Sequence, residues 1–309
     1  MSDLAIKIRE ICKEKNAVIL AHYYQSFEIQ QVADYVGDSL GLAQQALNSN
    51  ADIILFAGVV FMAETAKIIN PNKKVLVPDL EAGCSLVEGC QYTDFKLFKE
   101  QHPDHEVVMY INSSAEVKSL SDVICTSANA VDIVNSIPLD KKIIFAPDYN
   151  LGDYVKRKTG RDMVLWNGEC IVHQAFSNEK LDNLFLKYPT AKLIAHPESH
   201  RNILNRAIFV GSTTALIHFV KNSEFDVLII GTEVGVIGEM KKVAPQKQLI
   251  PLPIDENNTC ACSECSYMKL NTMQKIYDAL VSESPEIHVD IDTAIEAIKP
   301  IERMLALSK

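Results

Sequence analysis

Short runs of consecutive apolar residues alternate along the whole chain with stretches whose apolar positions recur at helical spacing. The apolar runs at 17–22, 53–57, 75–77, 107–111, 123–125, 143–146, 192–195, 207–210 and 227–230 have the length of strands. The stretches at 29–36, 40–48, 61–69, 128–136, 213–221 and 272–282 have the period of helices. Strands that are apolar on both faces and separated by helices predict a buried parallel sheet, so the chain reads as α/β.

The pattern also repeats. Three segments open on a strand that ends in polar groups: AVILAHYY, EVVMYINSS and KLIAHPESH. A second strand running into a helix reads as ADIILFAGVVFMAETAKII, SDVICTSANAVDIV and AIFVGSTTALIHFV. A third, ending in a turn, reads as KKVLVPDLEAG, KKIIFAPDYNLG and FDVLIIGTEVG. His22 to Tyr110 is 88 residues and Tyr110 to His196 is 86. Ser39, Ser127 and Thr213 keep the same 88 and 86, while Cys84, Cys170 and Cys265 are 86 and 95 apart. This spacing predicts three copies of one three-stranded α/β layer. Ligands of such sheets sit beyond the carboxyl ends of the strands. Three copies aimed at one axis would therefore pool their strand-end residues in a single shared site.

Composition narrows the class. Of 309 residues, 48% are apolar and 23% charged, the mix of a globular chain. A net charge of −10 argues against nucleic acid as the main ligand, because phosphate-backbone binding needs a basic surface. No apolar run reaches the length of a membrane span. The start, MSDLAIKIREICKEKN, alternates charged and apolar residues at helical spacing and lacks the apolar core of a signal peptide. The expectation is a cytoplasmic protein whose eight cysteines are reduced thiols, metal ligands or catalytic groups.

The cysteines leave several arrangements open. TCACSEC holds Cys260, Cys262 and Cys265, but no second pair stands at the spacing of a structural zinc site. A thioredoxin-like pair would need a βαβ opening that does not precede it. One thiolate per repeat, from Cys84, Cys170 and Cys265, would anchor an iron–sulfur cluster through three cysteines where four are usual. One iron would then keep an exchangeable position and act as a Lewis acid. A zinc-stabilised binding module without catalysis and a dehydratase-type cluster enzyme remain the alternatives. Cys12 and Cys125 lie in apolar patterns and read as small buried hydrophobes.

Other residues suit acid–base and anion chemistry. His22 and His196 end strands at matching points, and Glu198 follows two residues after His196. Tyr24 and Tyr110 add neutral donors, and His173 lies close enough in sequence to support Cys170. Ser39, Ser127 and Thr213 fall where helices should begin. There they either cap the helix, worth ~1 kcal/mol, or help its free N–H groups hold an anion. Neither GxGxxG nor a P-loop is present, so no nucleotide fold is indicated.

These residues together resemble a known family. AHYYQSFEIQQVADYVGDS, GVVFMAETAKIINP, PDLEAGCSL, YINSSAEVK, CTSANA, FAPDYNLG, HPES, VGSTTALI and the late Cys-x-Tyr-Met-x-x-Asn are similar, in order along nearly the whole chain, to the quinolinate synthases of de novo NAD biosynthesis. The resemblance implies three α/β sandwich domains of similar topology with pseudo-threefold symmetry around a central [4Fe-4S] cluster. It implies cluster ligands at Cys84, Cys170 and Cys265. It also implies condensation of iminoaspartate (iminosuccinate) with dihydroxyacetone phosphate to quinolinate, with loss of phosphate and water. Substrate-site residues carry over to His22, Ser39, Tyr110, Asn112, Ser127, His196, Glu198 and Thr213, and a catalytic tyrosine to Tyr24. Catalysis then falls to Tyr24, His22, His196 and Glu198. L-aspartate oxidase or an aspartate dehydrogenase would supply the iminoaspartate. The expected domains are 1–84 with 271–309, 85–170, and 171–270. A Cys262–Cys265 disulfide would compete with cluster binding.

Overall fold

The computed structural model describes residues 2–255 and 263–308. It contains three separate four-stranded parallel sheets with the same strand order. In the first, β2 (Tyr35–Gly37), β1 (Ala17–His22), β3 (Ile53–Ala57) and β4 (Lys74–Leu76) lie side by side in that order. The second runs β6 (Val123–Cys125), β5 (His105–Tyr110), β7 (Lys142–Ala146), β8 (Met163–Leu165). The third runs β10 (Phe209–Val210), β9 (Lys192–Ala195), β11 (Val227–Gly231), β12 (Gln248–Pro251). The chain is therefore α/β with three layers of one topology, as its repeats predict.

Each layer has four strands where the repeat pattern predicts three. The additional ones are β2, β8 and β12, all at sheet edges. Three or four residues are too few to display strand periodicity. The correction also shifts one alignment. Ile53–Ala57 is not the counterpart of Val123–Cys125 but of Lys142–Ala146 and Val227–Gly231, since all three pair beside the opening strand on the same side. The true second strand of the first layer is Tyr35–Gly37, inside the stretch expected to be helix 29–36. That helix stops at Val32, and Ala33 turns extended at ψ 145°. The even spacing of Ser39, Ser127 and Thr213 fits this register, because each follows the edge strand of its layer.

Alternate residues of the central strands face opposite cores. In β9 and β11, Leu193, Ala195 and Ile229 pack to one side while Ile194, Leu228 and Ile230 pack to the other. Each fully buried Leu or Ile contributes about 1.5–3 kcal/mol, which is why strands with both faces covered read as unbroken apolar runs. The first and second layers share one large core that runs from Ile54 and Phe56 to Val108 and Phe145. The C-terminal helix Ile291–Leu307 adds Ala297, Ile301 and Met304 to that shared core, and it lies against β6 and helix Ala115–Ser119. Helix Met273–Ser282 instead packs on the N-terminal helix Asp3–Glu14 and on β3.

Polar ties close the layers on one another. The Glu64 carboxylate accepts from the Ala115 amide at 3.0 Å, joining the first layer to the second. Beside it the buried Lys118 ammonium donates to the Ser113 carbonyl. Asp153 accepts from Arg201 Nε at 3.0 Å, and Asn150 donates to Gln174 Oε1 at 3.1 Å, joining the second layer to the third.

The turn that delivers Cys170 has little slack. Asp148 and Gly168 form an isolated parallel bridge, and the Tyr149 amide donates to the Gly168 carbonyl at 2.8 Å. A Cβ on Gly168 would stand 2.5 Å from the Pro147 carbonyl oxygen. Gly168→Ala must therefore push two backbone segments apart, a loss of about 1–3 kcal/mol. Urea unfolding should show this as a lower midpoint, and an unchanged midpoint would mean that the turn yields freely.

Candidate active site

The carboxyl ends of the three sheets converge on one cavity. The first layer contributes His22 and Tyr24 beyond β1, Ser39 beyond β2, and Cys84 beyond β4. The second contributes Tyr110 and Asn112 at the end of β5, Ser127 beyond β6, and Cys170 beyond β8. The third contributes His196 and Glu198 beyond β9, Thr213 beyond β10, and Cys265 beyond β12. All twelve residues singled out from the sequence thus line one space.

In the first and third layers a neighbouring side chain caps the helix, so the site hydroxyl does not. Asp38 accepts from the Gly41 amide at 3.1 Å and caps the helix that Ser39 begins. Ser212 accepts from the Ala215 amide at 3.3 Å, so Thr213 is not the cap. In the second layer, Asn129 Oδ1 accepts from the Thr126 amide at 2.6 Å. Ser127 then pairs with His196 Nε2 at 3.1 Å, and Thr213 with the Tyr24 hydroxyl at 3.2 Å.

Glu198 is the electrostatic centre. Its Oε2 lies 2.9 Å from His173 Nδ1 and 3.5 Å from His196 Nδ1, and its buried Oε1 has no partner. Burial alone would raise this carboxyl. The two imidazoles and the Tyr110 hydroxyl outweigh burial and hold its pKa down to about 2. Burial depresses the imidazoles, bringing His22 to about 4 and His196 to about 3, so both are neutral at pH 7. His22 Nδ1 accepts from the Tyr24 amide at 3.2 Å, which puts its proton on Nε2. Burial also keeps Tyr24 and Tyr110 protonated, with Glu198 adding to the effect. The groups carried over from the sequence thus include an ionised carboxylate (Glu198), two neutral imidazoles (His22 and His196) and two phenol donors (Tyr24 and Tyr110).

The three thiols share one local design. Each sits just ahead of a single helical turn and accepts from main-chain N–H groups two or three residues on. These are Leu86 and Val87 for Cys84, His173 for Cys170, and Tyr267 and Met268 for Cys265. Such donors favour a thiolate. Burial opposes it, taking Cys84 to about 12, Cys265 to about 11 and Cys170 well above the ordinary range. Three thiols prepared for charge but starved of water, beside an ionised Glu198, suit a bound cationic centre. His173 Nδ1 also lies 3.2 Å from Cys170 Sγ, and Cys170, His173 and Glu198 bring ligand atoms within 4.8 Å of one another. Cys262 lies outside the described residues, and so does any disulfide between it and Cys265.

The pattern that defines the quinolinate synthetase A protein family matches residues 6–306. The chain belongs to the quinolinate synthetase A family. It is 58% identical over 306 residues to the quinolinate synthase of Synechocystis sp., covering 99% of this chain and 96% of that protein. It is 55% identical to the quinolinate synthase of Microcystis aeruginosa, covering 99% and 95% of the two chains. Against that of Cyanophora paradoxa it is 56% identical over 301 residues, covering 97% and 91%. This member of the quinolinate synthetase A family is therefore an enzyme of that type.

Some of its site residues escaped the sequence reading. Glu233, in the GTEVG turn after β11, lines the cavity, yet only its turn was noticed. Asp38 and Tyr267 also line it. His173 has a larger part than support of Cys170, because it also holds Glu198. No helix among the described residues is long and apolar enough to cross a membrane.

The neutral imidazoles predict how stability changes with pH. Both His22 and His196 have folded pKa values below the ordinary 6.5, so the unfolded chain binds more protons below that pH. Stability should then fall as pH drops from about 6.5 toward 4, with each imidazole contributing up to ~1.4 kcal/mol per pH unit. Glu198 adds in the same direction below its ordinary 4.5. His22→Gln should flatten the slope of urea-unfolding free energy against pH in the metal-free protein. Equal slopes in both proteins would show that His22 is not buried in its neutral form.

Proposed function

We propose that this enzyme condenses iminoaspartate with dihydroxyacetone phosphate to give quinolinate, phosphate and water in the cytoplasmic route to NAD. The balance needs no oxidant. The observation that carries the reading is the meeting of all twelve sequence-selected residues in one cavity. Cys84, Cys170 and Cys265 would hold a [4Fe-4S] cluster. When bound, that cluster supplies a Lewis-acidic iron for substrate oxygens. L-aspartate oxidase or an aspartate dehydrogenase would supply the iminoaspartate. Segments 1–84 with 271–309, 85–170 and 171–270 are read as its three domains, with helix Ile291–Leu307 bracing the first against the second.

The protein's own groups divide the work. Ser39, Ser127 and Thr213, with Asn112, hold the carboxylates and phosphate through neutral donors, so no arginine is needed in the cavity. Glu198 accepts a proton at Oε1, the atom left without a partner. Tyr24 donates from a hydroxyl held by Thr213 and by Thr232, the latter at 2.9 Å. Neutral His22 and His196 relay protons between them. A second reading, a single metal ion on Cys170, His173 and Glu198, draws on their mutual proximity. It requires metal without inorganic sulfide and no role for Cys84.

Two tests follow. Cys84→Ala, Cys170→Ala and Cys265→Ala should each abolish the brown chromophore, iron and sulfide of an anaerobic preparation, whereas Cys12→Ala and Cys125→Ala should keep all three. A full cluster in Cys84→Ala would overturn the ligand assignment. Glu198→Gln should keep the cluster and slow quinolinate formation. Losing a positioned base typically costs 10²–10⁴-fold, and a carboxylate held this acidic is a weak base, so about 10²-fold is expected. Ser127→Ala should cost less, ~1–2 kcal/mol, through weaker anion binding. Normal turnover in Glu198→Gln would move the search for the base to Tyr24 and His22.

A further inference from the structure

Tyr24 sits on a short crossing, residues 23–26, between β1 and the next helix, and this crossing is wedged against the third layer. A Cβ on Gly235 would stand 2.9 Å from the Tyr24 Cα, so main chain meets main chain there without a side chain between. Gln30, fully within the fold, donates to the Tyr23 carbonyl at 2.9 Å and the Gln25 carbonyl at 2.8 Å, holding the crossing from its own layer.

From the other side the hold is ionic. Lys269 Nζ donates to the Tyr24 carbonyl at 2.7 Å and pairs with Glu233 Oε1 at 3.0 Å. The same Glu233 oxygen accepts from the Cys265 amide at 3.3 Å, and Oε2 accepts from the Gly235 amide at 2.6 Å. The Glu233 side chain is fully buried, while that of Lys269 is 26% exposed. One carboxylate and one ammonium thus tie three things together: the main chain of Tyr24, the turn after β11, and the loop that presents Cys265. Thr232, next to Glu233 in that turn, also accepts or donates at the Tyr24 hydroxyl, so main chain and side chain of Tyr24 are set by one turn.

We infer that Glu233 and Lys269 are positioning residues that place Tyr24 relative to the Cys265 loop. This rests on the proposed role of Tyr24 as proton donor. Neither residue needs to touch the substrate. Lys269 fixes where the tyrosine's main chain lies, and Glu233 fixes Lys269 and the Cys265 loop at once. A buried carboxylate with its cation removed will seek another partner, and the nearest are the amides that shape both loops. A displacement of the order of 1 Å at a reacting group can cost about 10²-fold in rate, so loss of the pair should be felt in kcat rather than in substrate affinity.

The test uses the full chain with Lys269→Met, Glu233→Gln and Lys269→Arg. Hydrogen exchange read by mass spectrometry on the metal-free proteins should show faster exchange across 22–26 and 263–267 in Lys269→Met. Strands β5 and β7 should exchange as before, and Lys269→Arg should restore the original rates. In the loaded enzymes, kcat for quinolinate should drop roughly 10–100-fold in Lys269→Met, with KM nearly unchanged and Lys269→Arg recovering most of the loss. Glu233→Gln should loosen the same two segments. Unchanged exchange at 22–26 in Lys269→Met, or a uniform rise over the whole chain, would overturn the inference. If the proposed reaction is wrong, the unsubstituted enzyme makes no quinolinate, while the contrast in exchange still stands or falls by itself.

Discussion

Three parallel sheets of the same order direct their carboxyl ends into one small cavity, and the remaining features of the molecule follow from that constraint. In a parallel sheet every strand ends on the same edge, so each layer can offer only one rim. The rim is where the apolar strand gives way to polar groups that need partners. Closing three rims on one another lets those groups partner across layers: Ser127 of the second with His196 of the third, Tyr24 of the first with Thr213 and Thr232 of the third. A single layer would leave these residues solvated and unaligned.

Closure has an electrostatic consequence. The space is shielded from water, so charge inside it is costly unless compensated. Glu198 stays ionised because His173 and Tyr110 donate hydrogen bonds to it and His196 lies close by. The thiols have main-chain donors but no cation of their own, and burial holds them protonated. A positive centre bound among them would relieve that cost and draw the three layers together at once. The same burial holds His22 and His196 neutral.

Much of this was readable in the chain. Consecutive apolar residues at β1, β3, β5, β7, β9 and β11 mark central strands, because those strands are covered on both faces. The near-constant spacing of His22, Tyr110 and His196, and of the serine–threonine and cysteine sets, locates the rims, because a rim residue must follow its strand by a fixed distance. The edge strands β2, β8 and β12 were not readable. They are short and partly exposed, and Tyr35–Gly37 hides behind a helical period. The misalignment of Ile53–Ala57 with Val123–Cys125 has the same origin: once an edge strand is overlooked, the next apolar run takes its place.

What the sequence by itself determined is the composition of each rim. Local order along the chain decides which residues follow a strand, and that order is set by hydrophobic period and turn residues alone. What only the tertiary structure decided is which rim residues meet. The pairing of His173 with Glu198 joins separate elements of the third layer, and the Lys269 bridge from Glu233 to Tyr24 joins the third layer to the first. No local pattern encodes such contacts. They exist because burying both faces of three sheets, and sharing a core between the first two, leaves those side chains one enclosed space in which to satisfy their hydrogen bonds.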